Sequence, residues 1–384
     1  MEKIMREFNI EETLKQQVGD IMNEKDTKTN KKTDNRSGKA GNRKGRKKKR
    51  NIFLRTLLII MGLLLSVTFL LIGTKSGRSN IYRVAGNFIY SNVSNDEQTK
   101  EDKGAKNERP VAEDVRWEDH VTNYLIIGLE EIKGAKNTDT IMIATINTKS
   151  KSLKLTSLLR DTYVEIPGYK PNKLNSAYAK GGAKLLIETI ELNYKIRIDG
   201  YASVNFESFE KIVDLVGGAT IELGEKEAKY LNRTNYISKK ENRNVKAGVN
   251  KLNGNQLLGY CRVRKVATLG GANNDYGRVV RQQRAVKALF KSYMSLGPIK
   301  MLNVTKEALG YIKTDLTAAQ IETAIADVLE NKLMDIETFR IPVDGYFEAP
   351  KKYNGIGYPL VLDWDANREK LEKFIFDDLV EDGK

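Results

Sequence analysis

Eighteen consecutive residues, "TLLIIMGLLLSVTFLLIG" over 56–73, carry no charge and are predominantly apolar. A run of that length suits a helix crossing the hydrocarbon core of a bilayer. Ile52, Phe53 and Leu54 extend it, and Arg55 can snorkel toward headgroups. A cleaved signal sequence has a shorter apolar stretch nearer the chain start, followed by a small-x-small site. The segment 52–73 therefore reads as an uncleaved single-pass transmembrane anchor. Directly before it stands "NRKGRKKKR" (42–50), and a basic flank of this kind stays on the cytoplasmic side. The expected topology has a cytoplasmic N-terminus and an extracytoplasmic main domain, held at the cell membrane.

This reading partitions the chain. Residues 1–51 are rich in Lys, Asn, Asp and Gly, which predicts a disordered basic tail with at most a short amphipathic helix near Ile10–Ile21. Residues 74–118 read as an extracytoplasmic linker, with "SNDEQTKEDKGAKNERP" (94–110) unstructured in character. The folded domain is expected over 119–384. The net charge of +15, from 65 Lys and Arg against 50 Asp and Glu, is concentrated in the first fifty residues. It speaks for membrane topology; nucleic acid is excluded for the domain, which lies across the membrane from it. A single cysteine, Cys261, excludes an intrachain disulfide and reads as a small buried residue rather than a nucleophile. With His120 the one histidine, a Ser–His–Asp triad or a histidine metal site has little to build on.

Within the domain, "NYLIIGL" (123–129), "TIMIATIN" (140–147) and "SLKLTSL" (152–158) are β-branched-rich runs of strand length. Apolar spacing predicts a helix over 175–194, then a strand at 200–206 and a helix at 207–216 ended by Gly217–Gly218. A strand at 219–223 precedes a polar excursion over 225–252 and a short helix at 254–260. Long helices are expected at 276–296 and 318–332, a strand at 337–343 and an extended piece at 358–364. A closing helix at 365–379 would have Asp365 as N-cap. Alternation of this kind implies an α/β layered sandwich, a central mixed β-sheet flanked by helices.

Fixed-charge donors are dense between 160 and 282. In "GYCRVRKV" (259–266), an extended backbone would send Arg262 and Arg264 to one face and Val263 to the other. In "NDYGRVVRQQR" (274–284), Arg278, Arg281 and Gln282 share a helical face, with Val279, Val280, Val286, Leu289 and Phe290 opposite. One such arginine is ordinarily paired on a solvated surface. Guanidiniums gathered from separate segments suit a multiply charged phosphate or pyrophosphate. Glu130 and Glu131 follow a strand and Asp139 opens the next; two carboxylates there can hold a hard cation such as Mg²⁺ alongside phosphate oxygens. An outward-facing, membrane-anchored domain meets phosphate largely as a lipid. Apolar helix faces at 183–192 and 279–290 are candidates to line a slot for it.

Five stretches in this order resemble the LytR–CpsA–Psr proteins of Gram-positive cell envelopes: "YLIIGLE…NTDTIMIATIN", "LTSLLRDTYVEIPGY…KLNSAYAKGG", "VNFESFEKIVDLVGGATIEL", "LNGNQLLGYCRVRK" and "DYGRVVRQQR". The resemblance covers about 121–295 closely and continues to about 378. It implies a membrane-anchored phosphotransferase that moves a teichoic acid- or capsule-like glycopolymer from an undecaprenyl-(pyro)phosphate carrier to peptidoglycan, with Mg²⁺ and a hydrophobic tunnel for the lipid. By matching position, Asp139 and Glu130 would serve the metal, and Arg160 and Asp161 form the family's "RD" pair, Arg160 on the pyrophosphate. Lys173, Arg262, Arg264, Arg278, Arg281 and Gln282 would bind pyrophosphate, and Asp275 opens the "DxxRxxRQ" helix. Asp139 and Asp161 both stand as candidate proton acceptors. The chain departs from the family where Glu130 replaces an aspartate, Asn137 an arginine and Leu159 a proline. Two alternatives share these residues: a polyprenyl-pyrophosphate hydrolase, and a catalytically degenerate lipid- or polysaccharide-binding envelope regulator.

Overall fold

In the computed structural model, residues 121–130 alternate between buried and partly exposed without a break, the period-2 pattern of a strand with two different faces. The structure describes residues 74–90, 94–95, 114–132 and 135–377. The predicted basic tail, its amphipathic helix and the predicted anchor lie outside them. Among the described residues no helix is long and apolar enough to cross a membrane. The chain separates into Met1–Arg78, of which only 74–78 are described, and Ser79–Lys384, which holds the domain.

Helix α1 (Lys75–Tyr90) and strand β1 (Ser94–Asn95) precede the long hairpin of β2 (Val121–Ile132) and β3 (Ala135–Asn147), then β4 (Ser152–Leu158). A small hairpin, β5 (Tyr163–Ile166) and β6 (Tyr169–Lys173), leads into α2 (Asn175–Tyr194), β7 (Gly200–Asn205) and α3 (Phe206–Val216). Next come β8 (Ala219–Leu223), α4 (Glu225–Arg233), β9 (Gly248–Leu252), α5 (Gly254–Arg262) and α6 (Asn274–Met294). The chain continues through α7 (Pro298–Leu309), β10 (Lys313–Thr314), α8 (Ala318–Glu330) and β11 (Glu337–Ile341). Short strands β12 (Phe347–Glu348), β13 (Lys352–Tyr353), β14 (Ile356–Gly357) and β15 (Val361–Leu362) precede α9 (Trp364–Phe376).

The main sheet runs β1-β10-β7-β2-β3-β4-β11. Strands β7 and β2 are parallel, β2–β3 and β3–β4 antiparallel, and β4–β11 parallel, so the sheet is mixed, as expected. One face carries Leu125, Ile127, Ile141 and Ile143 against α2 and α9, whose Leu186, Ile190, Leu371 and Ile375 are fully buried. Burying each such side chain contributes about 1.5–3 kcal/mol. The opposite face presents Ile126, Gly128 and Glu130 of β2 with Thr140 and Met142 of β3 to a cavity. A second core, built from α3, α5, α6 and the β8–β9 hairpin, closes that side.

Four features differ from the sequence expectation. Residues 75–90 form a helix where a linker was expected; its Tyr82 donates to Glu330 of α8 at 3.0 Å. The domain begins before 119, since Val115 is buried and Arg116 bridges Ile196. The polar excursion at 225–252 is ordered: α4 buries Ala228 and Leu231, the following connection Val245 and β9 Leu252, and the polar count hid these widely spaced anchors. Helix α9 starts one residue earlier than expected, and its N-cap is Asp363, whose side chain accepts from Ala366 N. Asp365 lies instead in the first turn, where a carboxylate still favours the helix dipole.

Candidate functional site

Strand register explains how Asp139 reaches the cavity. Gly128 pairs with Thr140 and Leu129 with Thr138, so Asp139 is the extra residue of a β-bulge. Strict alternation would send it to the α2 face with Ile141; the bulge turns it to the side of Thr140 and Met142. Gly128 is required opposite the bulge, because a Cβ there would lie 2.9 Å from Thr140 Cβ.

The cavity holds about 350 Å³, at the small end of the ~300–1,000 Å³ usual for small-molecule sites. Its apolar wall includes Met142, Phe206, Phe209, Leu258, Ala285 and Val286. Its polar end carries Glu130, Asp139, Arg262, Arg264, Arg278 and Gln282. From the cavity an alternating chain of charges runs outward. Asp139 pairs with Arg160 and stands 3.8 Å from Arg278 and 4.0 Å from Arg264. Arg160 Nε reaches Asp161 at 3.4 Å, and Asp161 takes Lys173 at 2.9 Å. Asp275 orients Arg278 at 2.9 Å and Arg264 at 3.4 Å. At another corner Arg262 donates to Glu130 at 2.8 Å and lies over the Phe206 ring at 4.8 Å. Arg160, Lys173, Arg262, Arg264, Lys265 and Arg278 thus set six positive charges against the four of Glu130, Asp139, Asp161 and Asp275.

Arg278 is the most perturbed of them. Burial, with Arg160 and Arg264 nearby, pushes its guanidinium down to about 10 against the pull of Asp275 and Asp139. A guanidinium stays charged at neutral pH all the same, so the shift expresses a desolvated cation. Its Nε and Nη1 are buried without a hydrogen-bond partner. Burial works against the charge of Arg160 too, but Asp139, Asp161 and Asp275 outweigh it and raise its pKa. Cys261 lines the cavity, yet burial holds its thiol up at about 12, so it is no nucleophile at neutral pH. His120 pairs with Glu118 at 3.1 Å and takes no part in the cluster.

Local sequence accounts for the placement of the arginines. Asn253 and Gln256 form a capping box at the start of α5, which ends on Arg262. Val263 is then extended and buried in the second core, so Arg262 and Arg264 are left to the cavity. Arg281 parts company with the other predicted ligands. It is fully buried; Nε and Nη2 engage Glu227 at 2.9 and 2.8 Å, and Nη1 and Nη2 donate to the carbonyls of Val263 and Val266 at 3.2 and 2.7 Å. Glu227, itself buried, also accepts from Gly224 N and Leu269 N, both at 3.1 Å. Arg281 thereby clamps the loop that carries Arg264 and Lys265 instead of facing the cavity. The Arg278–Gln282 side of α6 is its more buried side, where the sequence pattern had placed the core opposite. Of the two apolar helices considered for the slot, α6 lines it through Gln282, Ala285 and Val286, whereas residues 183–192 of α2 pack on the other face of the sheet.

Sequence reasoning missed Lys265, Asn205, Phe206 and Phe209, which also line the cavity. The signal was present in "VNFESFE": Asn205 ends parallel strand β7 and caps α3 through Ser208 N, aiming a helix N-terminus at the polar end. For a metal, Glu130 and Asp139 face one cavity, while the described residues contain no group of three His, Cys, Asp or Glu side chains able to hold an ion. That donor set fits Mg²⁺, which takes one or two carboxylates and completes its shell with phosphate and water.

The profile of the LytR_cpsA_psr family matches residues 87–369. The regulatory protein MsrR of Staphylococcus aureus is 30% identical over 259 residues, 67% of this chain and 75% of that protein. The polyisoprenyl-teichoic acid–peptidoglycan teichoic acid transferase TagU of Bacillus mycoides is 31% identical over 280 residues, 72% of this chain and 86% of its own length. Among solved structures, TagT with bound octaprenyl pyrophosphate lipid superposes with a TM-score of 0.51 at 22% identity, covering 69% of this chain and 93% of that one.

Proposed function

Since the chain belongs to the LytR–CpsA–Psr family, we propose that it transfers a glycopolymer from a polyprenyl-pyrophosphate carrier to peptidoglycan. The observation that carries this reading is Arg278, a buried guanidinium with two unpartnered donors at the cationic end of an apolar-walled cavity. A neutral apolar ligand would leave those buried donors unsatisfied, so the site favours one with an anionic head and a greasy body.

The chemistry is an exchange of oxygens at phosphorus. An acceptor hydroxyl attacks the glycan-side phosphorus, the P–O bond to the lipid phosphate breaks, and polyprenyl monophosphate leaves with the electron pair. Arg160, Arg262, Arg264 and Arg278 neutralise charge on the phosphoryl oxygens, and cations already held in place by Asp139, Asp161, Asp275 and Glu130 do this with little reorganisation. The hydroxyl proton goes to a carboxylate: Asp139 within the cavity or Asp161 one ion pair outside it, a choice that Asp139→Asn and Asp161→Asn separate. Glu130 and Asp139 would hold Mg²⁺, which neutralises phosphate charge when bound. An anchor over 52–73 with its basic flank in the cytoplasm would put the site outside the cell membrane, where lipid carrier and wall meet.

The regulatory reading has the name of the Staphylococcus relative behind it, and a cation-lined cavity also suits lipid sensing. Lipid binding, set beside turnover, orders these readings. In native mass spectrometry the full chain in detergent should retain octaprenyl pyrophosphate, and Arg278→Ala should lose it. Binding without turnover would favour the regulator, and equal binding by the variant would remove the cradle.

A further inference from the structure

Tyrosines collect outside the cavity, on the side of Asp161. Tyr358 is 71% exposed, Tyr169 49% and Tyr353 39%. Tyr169 sits on the β5–β6 hairpin, Tyr353 on the β13–β14 hairpin and Tyr358 directly after it, and these segments are joined to the charge chain through the backbone. Leu360 N donates to Asp161 O at 2.9 Å, and Tyr163 N donates to Leu360 O at 2.8 Å. In the hairpin register Tyr163 stands opposite Lys173, the partner of Asp161. The Tyr163 and Tyr353 rings meet edge to face at 5.1 Å, and Asn354 Nδ2 donates to Tyr163 Oη at 3.2 Å, so the two hairpins form one braced surface.

Nothing in the core explains this arrangement. Tyr358 has a left-handed backbone (φ 52°), a conformation costly for a bulky residue, and it directs its ring to solvent. Strain of this kind concentrates where a side chain must be presented to a ligand. The exposed rings are all tyrosines with no aliphatic anchor among them, which fits stacking against a flat polar partner better than insertion into lipid. Exposed Lys170, Lys180, Lys351 and Lys352 surround the rings, Lys180 over Tyr169 at 4.7 Å, against exposed Glu165 and Glu348, while the nearby Asp344 is paired with Arg340, so the surface favours a partner with carboxylates.

We propose that Tyr353, Tyr358 and the lysines beside them are the acceptor platform: a carboxylate-bearing glycan strand stacks its sugar faces on these rings and presents a free hydroxyl toward Asp161. This deepens the transferase reading above and rests on it for the role of acceptor. Asp161, the carboxylate outside the donor cavity, is then the one nearest an incoming hydroxyl.

The test uses the full chain in detergent and the double variant Tyr353→Ser/Tyr358→Ser, titrated with soluble peptidoglycan glycan strands. Loss of two stacking rings should weaken glycan binding at least about tenfold. Octaprenyl pyrophosphate binding should be unchanged, the melting temperature should fall by no more than about 5 °C through the lost Tyr163–Tyr353 contact, and amidating the strand carboxylates should weaken wild-type binding. An unchanged glycan Kd in the double variant, or no glycan binding by wild type, overturns the platform. So does loss of binding to phosphatidylglycerol vesicles with glycan binding intact, which would assign the surface to the membrane. Failure to bind octaprenyl pyrophosphate in wild type would sink the donor reading, while the glycan comparison still decides the platform.

Discussion

Replacing Glu227 by alanine should do more damage than replacing any arginine of the cavity. Glu227 and Arg281 are both almost wholly inaccessible, and the carboxylate also takes the amides of Gly224 and Leu269. Removing one partner of a buried pair strands the other charge and costs about 3–5 kcal/mol. For a domain of this size each kcal/mol moves the melting temperature by roughly 2–4 °C, so Glu227→Ala should melt about 10 °C lower. Scanning calorimetry of the full chain in detergent reads this directly. Glu227→Ala/Arg281→Met removes both charges and should recover part of the loss, since an apolar pair tolerates that interior. Octaprenyl pyrophosphate binding should stay weak in the double variant, because the 263–269 loop has lost its ties to Arg281. A single variant melting within about 2 °C of wild type would refute the clamp; a double variant with full lipid binding would refute its link to the site.

Arg278→Met should leave the melting temperature within about 2 °C, because Asp275 is 40% exposed and keeps Arg264 while Asp139 keeps Arg160, so no carboxylate is stranded, yet it should abolish lipid binding; a large destabilisation would make Arg278 structural. With its thiol held near pKa 12, Cys261 should react with iodoacetamide at pH 8 at least about a hundredfold more slowly than a free cysteine until the chain unfolds, as followed by mass spectrometry. Glu130→Gln should raise the Mg²⁺ concentration needed for transfer, and unchanged metal dependence would move the ion elsewhere.

Much of the scaffold was legible because its signals are local. The strands at 152–158 and 219–223 match the structure end to end, as do both ends of the helix at 175–194, which the structure kinks at Gly181–Gly182, a break that apolar spacing alone does not register. Helix α7 and the β5–β6 hairpin were not anticipated; "YKPNK" has the polarity of a loop and is exposed as a strand. In the site, Asp139, Arg262, Arg264, Arg278 and Gln282 converge on one cavity, with Arg160, Asp161, Lys173 and Asp275 next to them in the charge chain. The sequence could not show that Arg281, three positions from Arg278, faces Glu227 across 54 residues. Periodicity assigns a helix face but not which neighbour covers it. Nor does alternation foresee a bulge, and it is the bulge that brings Asp139 to the side of Glu130.

The most direct test of the central claim is transfer itself. Purified full chain, Mg²⁺, a synthetic polyprenyl-pyrophosphate-linked glycan and peptidoglycan would be followed by ³¹P NMR. The account predicts polyprenyl monophosphate release matched one for one by a new wall-linked phosphodiester, both lost in Arg262→Ala. Lipid phosphate release without the phosphodiester would make the protein a hydrolase. Neither product, under conditions where the lipid is bound, would contradict the transferase account.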